Sequence, residues 1–207
     1  MSKIIMISGA KRSGKDFLAD MLCKYYGDRA TKLAFATPIK QIVCGLFGIS
    51  EDKLDIMKNN EDEYGIEVKA YPNNQPSVTI GSLSFREILQ RIGTEATKPV
   101  FGNDVWARMV LDKINADTEH DIFIISDFRF NSEYQTLAVS EHKCNIYSIR
   151  VDSDIVRVNS DIVEKSLDMH SSETELDNFD FDIEFYNSSQ SSVMALNFAN
   201  LIERLRE

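Results

Sequence analysis

The stretch Ile4-Ile5-Met6-Ile7-Ser8-Gly9-Ala10-Lys11-Arg12-Ser13-Gly14-Lys15-Asp16 decides how the whole chain is read. A short run of apolar, largely β-branched residues predicts a buried strand. A loop with a glycine at each end follows. Phe17, Leu18, Met21, Leu22 and Tyr25 then recur at helical spacing. Strand, glycine-bounded loop and helix are the context of a phosphate-binding loop, G-x-x-x-x-G-K, with Gly9, Gly14 and Lys15 in the defining places. Its glycines permit backbone angles that strain other residues. The N–H groups of Ala10, Lys11, Arg12 and Ser13 can then wrap an anionic phosphate at the positive end of the helix. Lys15 reaches the outer phosphates as a point charge. Where Ser or Thr normally ligates magnesium, this chain has Asp16. A carboxylate there can hold Mg²⁺ directly or through water, or accept a hydrogen bond from a substrate hydroxyl. Its charge beside a transferring phosphate is repulsive unless the metal, or a guanidinium such as that of Arg129, offsets it.

Outward from that loop, strands and helices alternate. Lys32–Ala36 predicts a second strand. Pro38 opens a helix whose apolar face is Ile39, Ile42, Val43, Leu46 and Phe47, with Gly48 at its end. From Ser50 to about Ser82 the pattern loosens into a polar, acidic insertion, with a short helix at Glu51–Met57 and a small strand at Val78–Ile80. Ser84 caps a helix with Phe85, Ile88, Leu89 and Ile92 buried, and Gly93 ends it. Arg86 and Gln90 share its polar face, as do Glu87 and Arg91. Trp106, Met109, Val110 and Ile114 face inward on the next helix. Ile122–Ile125 is a continuous apolar run ending in Ser126-Asp127, the signature of a buried parallel strand. A helix over Asn131–Val139, a strand over Asn145–Val151, a polar helical segment over Asp154–Met169 and a capping box at Ser172–Glu175 follow. Phe181–Phe185 is the last strand, and Met194, Phe198, Leu201 and Leu205 mark a closing helix. This alternation predicts an α/β fold: three layers, α/β/α, around a parallel sheet, with ligands beyond the C-terminal strand ends. Gly9–Asp16, Asp127, Arg129 and Arg150 would converge there.

The composition narrows the function. The chain of 207 residues carries a net charge of -10, which disfavours clamping a nucleic acid polymer but not holding a mononucleotide between a few arginines. No apolar run approaches the roughly 18 residues of a membrane span. With the N-terminus entering directly into a strand, no signal peptide is visible. Cys23, Cys44 and Cys144 are scattered, as expected of buried free thiols in a reducing compartment.

Phosphoryl transfer needs charge neutralisation and positioning more than a covalent catalyst. Asp127 resembles a Walker-B carboxylate that holds Mg²⁺ through water; it is equally a solvated strand end or a helix cap. Arg129 suits phosphate oxygens, or pairs with Glu133. Arg86 and Gln90 suit a second substrate's phosphate or base, or form a solvated face. Phe35 and Trp106 can stack on a base or belong to the core. Arg12, Arg150 and Arg157 can close over donor phosphates as a lid, and the spacing leaves the role of His170 open.

Several stretches together resemble the deoxynucleoside monophosphate kinases of tailed bacteriophages. They are Gly9–Asp16 with its Gly-Lys-Asp ending, Phe35-Ala36-Thr37-Pro38-Ile39-Lys40, Phe85–Glu95, Gly102–Trp106, Ser126–Glu133 and His170–Glu173. The resemblance implies a nucleoside monophosphate kinase fold with core segments 1–48, 100–150 and 174–207, a substrate-binding insertion at about 49–99 and a lid at about 151–173. It implies transfer of the ATP γ-phosphate to a deoxynucleoside monophosphate with Mg²⁺. Lys15, Asp16 and Arg129 would carry catalysis. Phe35, Lys40, Arg86, Gln90, Arg91, Thr94 and Trp106, with Arg129, would hold the acceptor. The expected partners are small nucleotides, with no nucleic acid polymer and no membrane, in the cytoplasm; a homodimer is left open. The competing readings are a kinase of another small phosphorylated acceptor, a P-loop scaffold without transfer, and, fitting the acidic balance poorly, a nucleic-acid motor.

Overall fold

The computed structural model describes residues 2–60, 64–70, 78–139, 144–154 and 174–206. These residues form two compact units, one of residues 1–35 and 107–207, the other of residues 36–106. The expected lid, with Arg157, His170 and the start of the Ser172–Glu175 box, lies almost wholly outside the described residues.

The first unit is built on a five-stranded sheet. Its strands are β1 (Lys3–Gly9), β2 (Ala30–Leu33), β5 (Ile122–Ile125), β6 (Asn145–Ser153) and β7 (Ile183–Asn187), in the order β2-β5-β1-β6-β7. Every pairing is parallel. Parallel strands carry helices on both faces, so β1 and β5 lie at the centre as unbroken apolar runs. Ile4, Ile5, Met6 and Ile7 are all fully buried. Alternation divides them. Ile5 and Ile7 join Ile122, Ile124, Ile149, Val151, Ile183 and Phe185 in one core. Leu18, Ala19 and Leu22 of α1 (Lys15–Tyr26) and Met194, Leu201 and Ile202 of α8 (Ser191–Arg204) cover that core. Phe17 and Tyr25, which share the helical spacing, are 53% and 44% exposed. Elsewhere in this unit, Phe128, Tyr134, Phe179 and Phe181 form a cluster of mostly edge-on rings, 4.8–6.4 Å apart. Tyr134 belongs to α7 (Asn131–Ala138). Among the described residues the predicted strands and helices of this unit are present with shifted ends: β2 begins earlier than Lys32, and β7 begins after Phe181; the helical segment expected over Asp154–Met169 lies almost wholly outside the described residues. The three cysteines are free and half-buried rather than buried.

The second unit holds α2 (Thr37–Phe47), α3 (Glu51–Asn59), the antiparallel pair β3 (Gly65–Ala70) and β4 (Val78–Ser84), α4 (Phe85–Gln90) and α5 (Lys98–Phe101). It takes in α2, which the resemblance places in the core segment 1–48, and α5, which straddles the expected boundary between insertion and core. Val43, Leu54, Phe85 and Ile88 make its centre. Pro38 sits in the first turn of α2, and Gly48 ends it at φ 62°. β3 was not expected. Ile66 and Val68 alternate with Glu67 and Lys69, a period-two pattern short enough to pass for polar loop. The chain's α6 (Val105–Ala116) buries Trp106, Val110 and Ile114 as expected, but leaves Met109 41% exposed.

Gly93 does not end its helix. The chain continues from α4 through a wide, π-helical turn over Arg91–Ala96. Such turns carry one residue more than a regular helix allows. Gly93 sits buried inside this one, where an added Cβ would come within 2.8 Å of Ile39 Cδ1. The helix therefore needs glycine for close approach and not for termination.

Candidate functional site

The phosphate loop lies at the C-terminal end of the central strand. Its shape follows from three backbone positions. Gly9 runs so close to β6 that a Cβ would stand 2.4 Å from the Val151 carbonyl oxygen and 2.7 Å from Ser13 Oγ. Arg12 has φ 67°, and among the described residues it alone is a non-glycine at positive φ. Gly14 follows at φ 94°. The Ser13 N–H donates back to the Ala10 carbonyl at 3.1 Å, closing a tight turn within the loop. The end of β7 braces the loop: Asn187 Nδ2 donates to the Ser13 carbonyl at 2.9 Å.

Lys15 opens α1 and folds back over the loop. Its Nζ donates to the carbonyls of Gly9 and Ala10, each at 2.7 Å. Ser13 is fully buried, and its hydroxyl has no hydrogen-bond partner among the described residues. A buried hydroxyl left without a partner costs about 1–3 kcal/mol. An orphaned donor inside a glycine-bounded loop beneath the Lys15 ammonium suits an anionic oxygen, so the residues present fit a phosphate. Lys11 and Arg12 are exposed.

Asp16, the departure from the usual pattern, is held from two sides. Ser126 Oγ donates to its Oδ1 at 2.9 Å, and Lys32 Nζ lies 3.2 Å from the same oxygen. Lys32 also reaches Asp20, one helical turn further along α1, at 2.9 Å. Partial burial works against the Asp16 charge, but the Ser126 hydroxyl and the ammonium groups of Lys32 and Lys15 outweigh it and hold the carboxyl below the usual range. Burial likewise opposes the Lys32 charge, and Asp20 and Asp16 override it, raising its pKa. The cation that the structure brings to Asp16 is thus Lys32. Neither it nor Ser126 carries a motif signal; Ser126 was visible only as the residue before Asp127.

Asp127 follows β5 and accepts the backbone N–H of Phe35 at 2.9 Å, tying down the exit of β2. Phe35 is 3% exposed and belongs to the core. Glu133 is buried and takes the backbone N–H groups of Arg129 and Phe130 at 2.8 and 3.0 Å, so it shapes the turn on which Arg129 sits. Glu175 accepts the N–H of Asn131 at the same helix start. Arg150 lies on β6 opposite Ser8, 3.7 Å from Asp177 and with its guanidinium 5.5 Å from the centre of the Phe181 ring. Among the described residues no group of three or more His, Cys, Asp or Glu could hold a metal unaided. Mg²⁺ at phosphates typically takes one or two carboxylates and completes its shell with phosphate and water oxygens. Asp16 and Asp127 are of that kind.

The acceptor candidates of the second unit are arranged as follows. Lys40 pairs with Asp55 at 2.9 Å, and Lys58 pairs with the same carboxylate at 2.6 Å. Arg86, Gln90 and Thr94 are half-buried, and Arg91 is exposed. Glu87, expected to pair with Arg91, closes a capping box instead: Ser84 N–H donates to Glu87 Oε2 at 2.8 Å and Glu87 N–H to Ser84 Oγ at 3.2 Å. Trp106 is 5% exposed, and its indole Nε1 donates to the Gly93 carbonyl at 2.7 Å.

Comparison with known proteins adds the following. Residues 3–70 match the family model described as deoxynucleotide monophosphate kinase. That segment, about a third of the chain, is similar to the family that the sequence resembles. No curated protein gives a significant match. Among solved structures, TT1252 from Thermus thermophilus is similar at 13% identity, covering 99% of this chain and 98% of that one, with a TM-score of 0.48. A dephospho-CoA kinase from Campylobacter jejuni is similar at 15% identity, with 99% and 98% covered and a TM-score of 0.41. Likenesses at these scores lend no weight to any assignment of function.

Proposed function

We propose that this protein is a nucleotide kinase that transfers the γ-phosphoryl group of ATP to a deoxynucleoside monophosphate, giving ADP and a deoxynucleoside diphosphate. An acceptor phosphate oxygen forms the new bond to the γ-phosphorus, and the bond from that phosphorus to the β,γ-bridging oxygen breaks. The observation that carries the reading is the loop Gly9–Asp16, with Lys15 across it and Asp16 anchored beside it. The family match over residues 3–70 supports the acceptor class.

In this reading the loop amides from Ala10 to Ser13 hold the donor phosphates, the Ser13 N–H giving up its 3.1 Å bond to the Ala10 carbonyl. Lys15 exchanges the carbonyls of Gly9 and Ala10 for phosphate oxygens, and Arg12, Arg150 and Arg157 neutralise the remaining charge. Mg²⁺, when bound, lowers the charge that repels the incoming acceptor; Asp16 and Asp127 would hold it. Arg129 steadies the transferring group as negative charge spreads over its oxygens. Arg86, Gln90, Arg91, Thr94 and Lys40 supply acceptor recognition. Trp106 supports that surface from the core of its unit, and Phe35 is buried in the core, so neither stacks on a base in this reading.

A coupled assay with ATP and Mg²⁺ over ribo- and deoxynucleoside monophosphates tests the proposal. ADP released only with deoxynucleotide acceptors is the expected result. ADP released with another phosphorylated acceptor would replace the substrate class, and release without any acceptor would point to an NTPase.

A further inference from the structure

Resting on the kinase reading above, we infer that Ser126 and Lys32 are positioning residues that fix one oxygen of Asp16 so that the other does the work. The usual Ser or Thr at this place offers a single oxygen. A carboxylate offers two, with about four acceptor directions between them. Here both contacts fall on one oxygen: Ser126 at 2.9 Å and Lys32 at 3.2 Å from Oδ1. Oδ2 has no hydrogen-bond partner among the described residues. The side chain as a whole is 78% exposed, so without these anchors it would sample several rotamers.

The anchors come from neighbouring strands. Lys32 of β2 stands in register with Ile124 of β5, and Ser126 directly follows β5. Asp20 holds the Lys32 ammonium from the far side at 2.9 Å. One cation is therefore shared between two carboxylates of the same helix face, four residues apart. Its contacts are with the helix rather than with the loop amides. Lys32 thus acts through Asp16, setting the direction of Oδ2 toward the metal or the acceptor.

A double-mutant cycle on Lys32 and Asp16 tests this, with kcat, the Michaelis constants and unfolding midpoints measured for each variant. Lys32→Met should lower kcat about 3- to 5-fold, the upper end of what one exposed ion pair is worth, with the Michaelis constant for ATP within about twofold. Lys32→Arg should recover most of the rate, and Ser126→Ala should fall in the same direction as Lys32→Met. Asp16→Asn removes the working oxygen and should cost about 100-fold or more. In the Asp16→Asn background, Lys32→Met should change kcat by less than about twofold, because nothing is left to position. Multiplying losses would overturn the inference, since Lys32 would then act on phosphate or on the fold. So would a loss explained by a lowered unfolding midpoint. If the parent transfers to no monophosphate, the kinase reading fails separately, and the same cycle is read from the Mg²⁺ dependence of ATP binding by calorimetry. Non-additivity there sustains the positioning role and additivity ends it.

Discussion

Gly14→Ala tests the most local claim about the loop. The substitution has two costs, each readable from the structure. Gly14 sits at φ 94°, where an L side chain is strained by roughly 1–2 kcal/mol. The new Cβ would also stand 2.1 Å from Asn187 Nδ2 and 3.2 Å from its Cγ. Non-bonded heavy atoms rest at about 3.5–4.0 Å, so the amide must retreat by ~1 Å or more. It then gives up its 2.9 Å bond to the Ser13 carbonyl, worth about 0.5–1.5 kcal/mol. The total is about 1.5–3.5 kcal/mol of stability. Nucleotide affinity should fall as well, because Ser13 and Gly14 join the loop to its helix. Urea unfolding measures the first effect and calorimetric titration with ATP the second. Asn187→Ala alone should cost about 0.5–1.5 kcal/mol. Together the two should cost less than their sum, because removing the amide removes the obstacle. A Gly14→Ala protein within about 0.5 kcal/mol of the parent and unchanged in ATP affinity would refute the reasoning. Strict additivity with Asn187→Ala would refute the steric half of it.

Four other substitutions bear on the site and its support. Lys15→Ala should lower turnover about 100- to 1000-fold while moving the unfolding free energy by less than about 1 kcal/mol; a variant inactive only because it unfolds would remove the loop argument. Arg86→Ala should raise the Michaelis constant for the monophosphate about 30- to 150-fold through loss of one charge-assisted contact, leaving that for ATP unchanged; the reverse pattern would put Arg86 on the donor. Trp106→Phe deletes the indole donor to the Gly93 carbonyl and should destabilise by about 1–3 kcal/mol, with acceptor affinity nearly constant; a stable variant with weakened acceptor binding would make Trp106 a ligand contact. Asp55 provides the pH dependence: burial works against its charge, but Lys58 and Lys40 outweigh it and lower its pKa. Its contribution is therefore full above about pH 4 and is lost as pH falls through the depressed value. Acid unfolding curves for the parent should drop more steeply below about pH 4 than those for Asp55→Asn, and superimposable curves would count against the pairing.

What could be read in advance was whatever is written locally. The run Ile4–Ile7, the spacing Gly9–Gly14–Lys15, the pair Pro38 with Gly48 and the cap at Ser84 each encode their own geometry within about ten residues. Asp16 stood out because it broke a local rule. Its partners did not, because Lys32 and Ser126 meet it only after β2 and β5 align, across 16 and 110 residues of chain. Asn187 is further still, 174 residues from the carbonyl it braces. Phe35 and Trp106 look alike in sequence whether they stack on a base or fill a core; burial of 3% and 5% exposure decides for the core. Gly93 misled for a different reason. Glycine after an apolar helical stripe usually marks an end, and here it marks close packing against Ile39 inside a widened turn.

The order of the central sheet also bears on how the chain comes into being. Of the sheet's strands β1 is synthesised first, and it gains its partners only when β5 and β6 follow. Ile4 pairs with Phe123 and with Ile146, 119 and 142 residues further on. At roughly 5–20 residues per second, about 6–24 s separate the first strand from its nearest partner. During that interval the fully buried run Ile4 to Ile7 has no neighbouring strand to pair with. Residues 36–106 form a contiguous unit and can close meanwhile from their own contacts. The nascent phosphate loop hangs throughout on an unpaired, sticky strand, so the segment that defines the protein's chemistry is also its greatest hazard during synthesis.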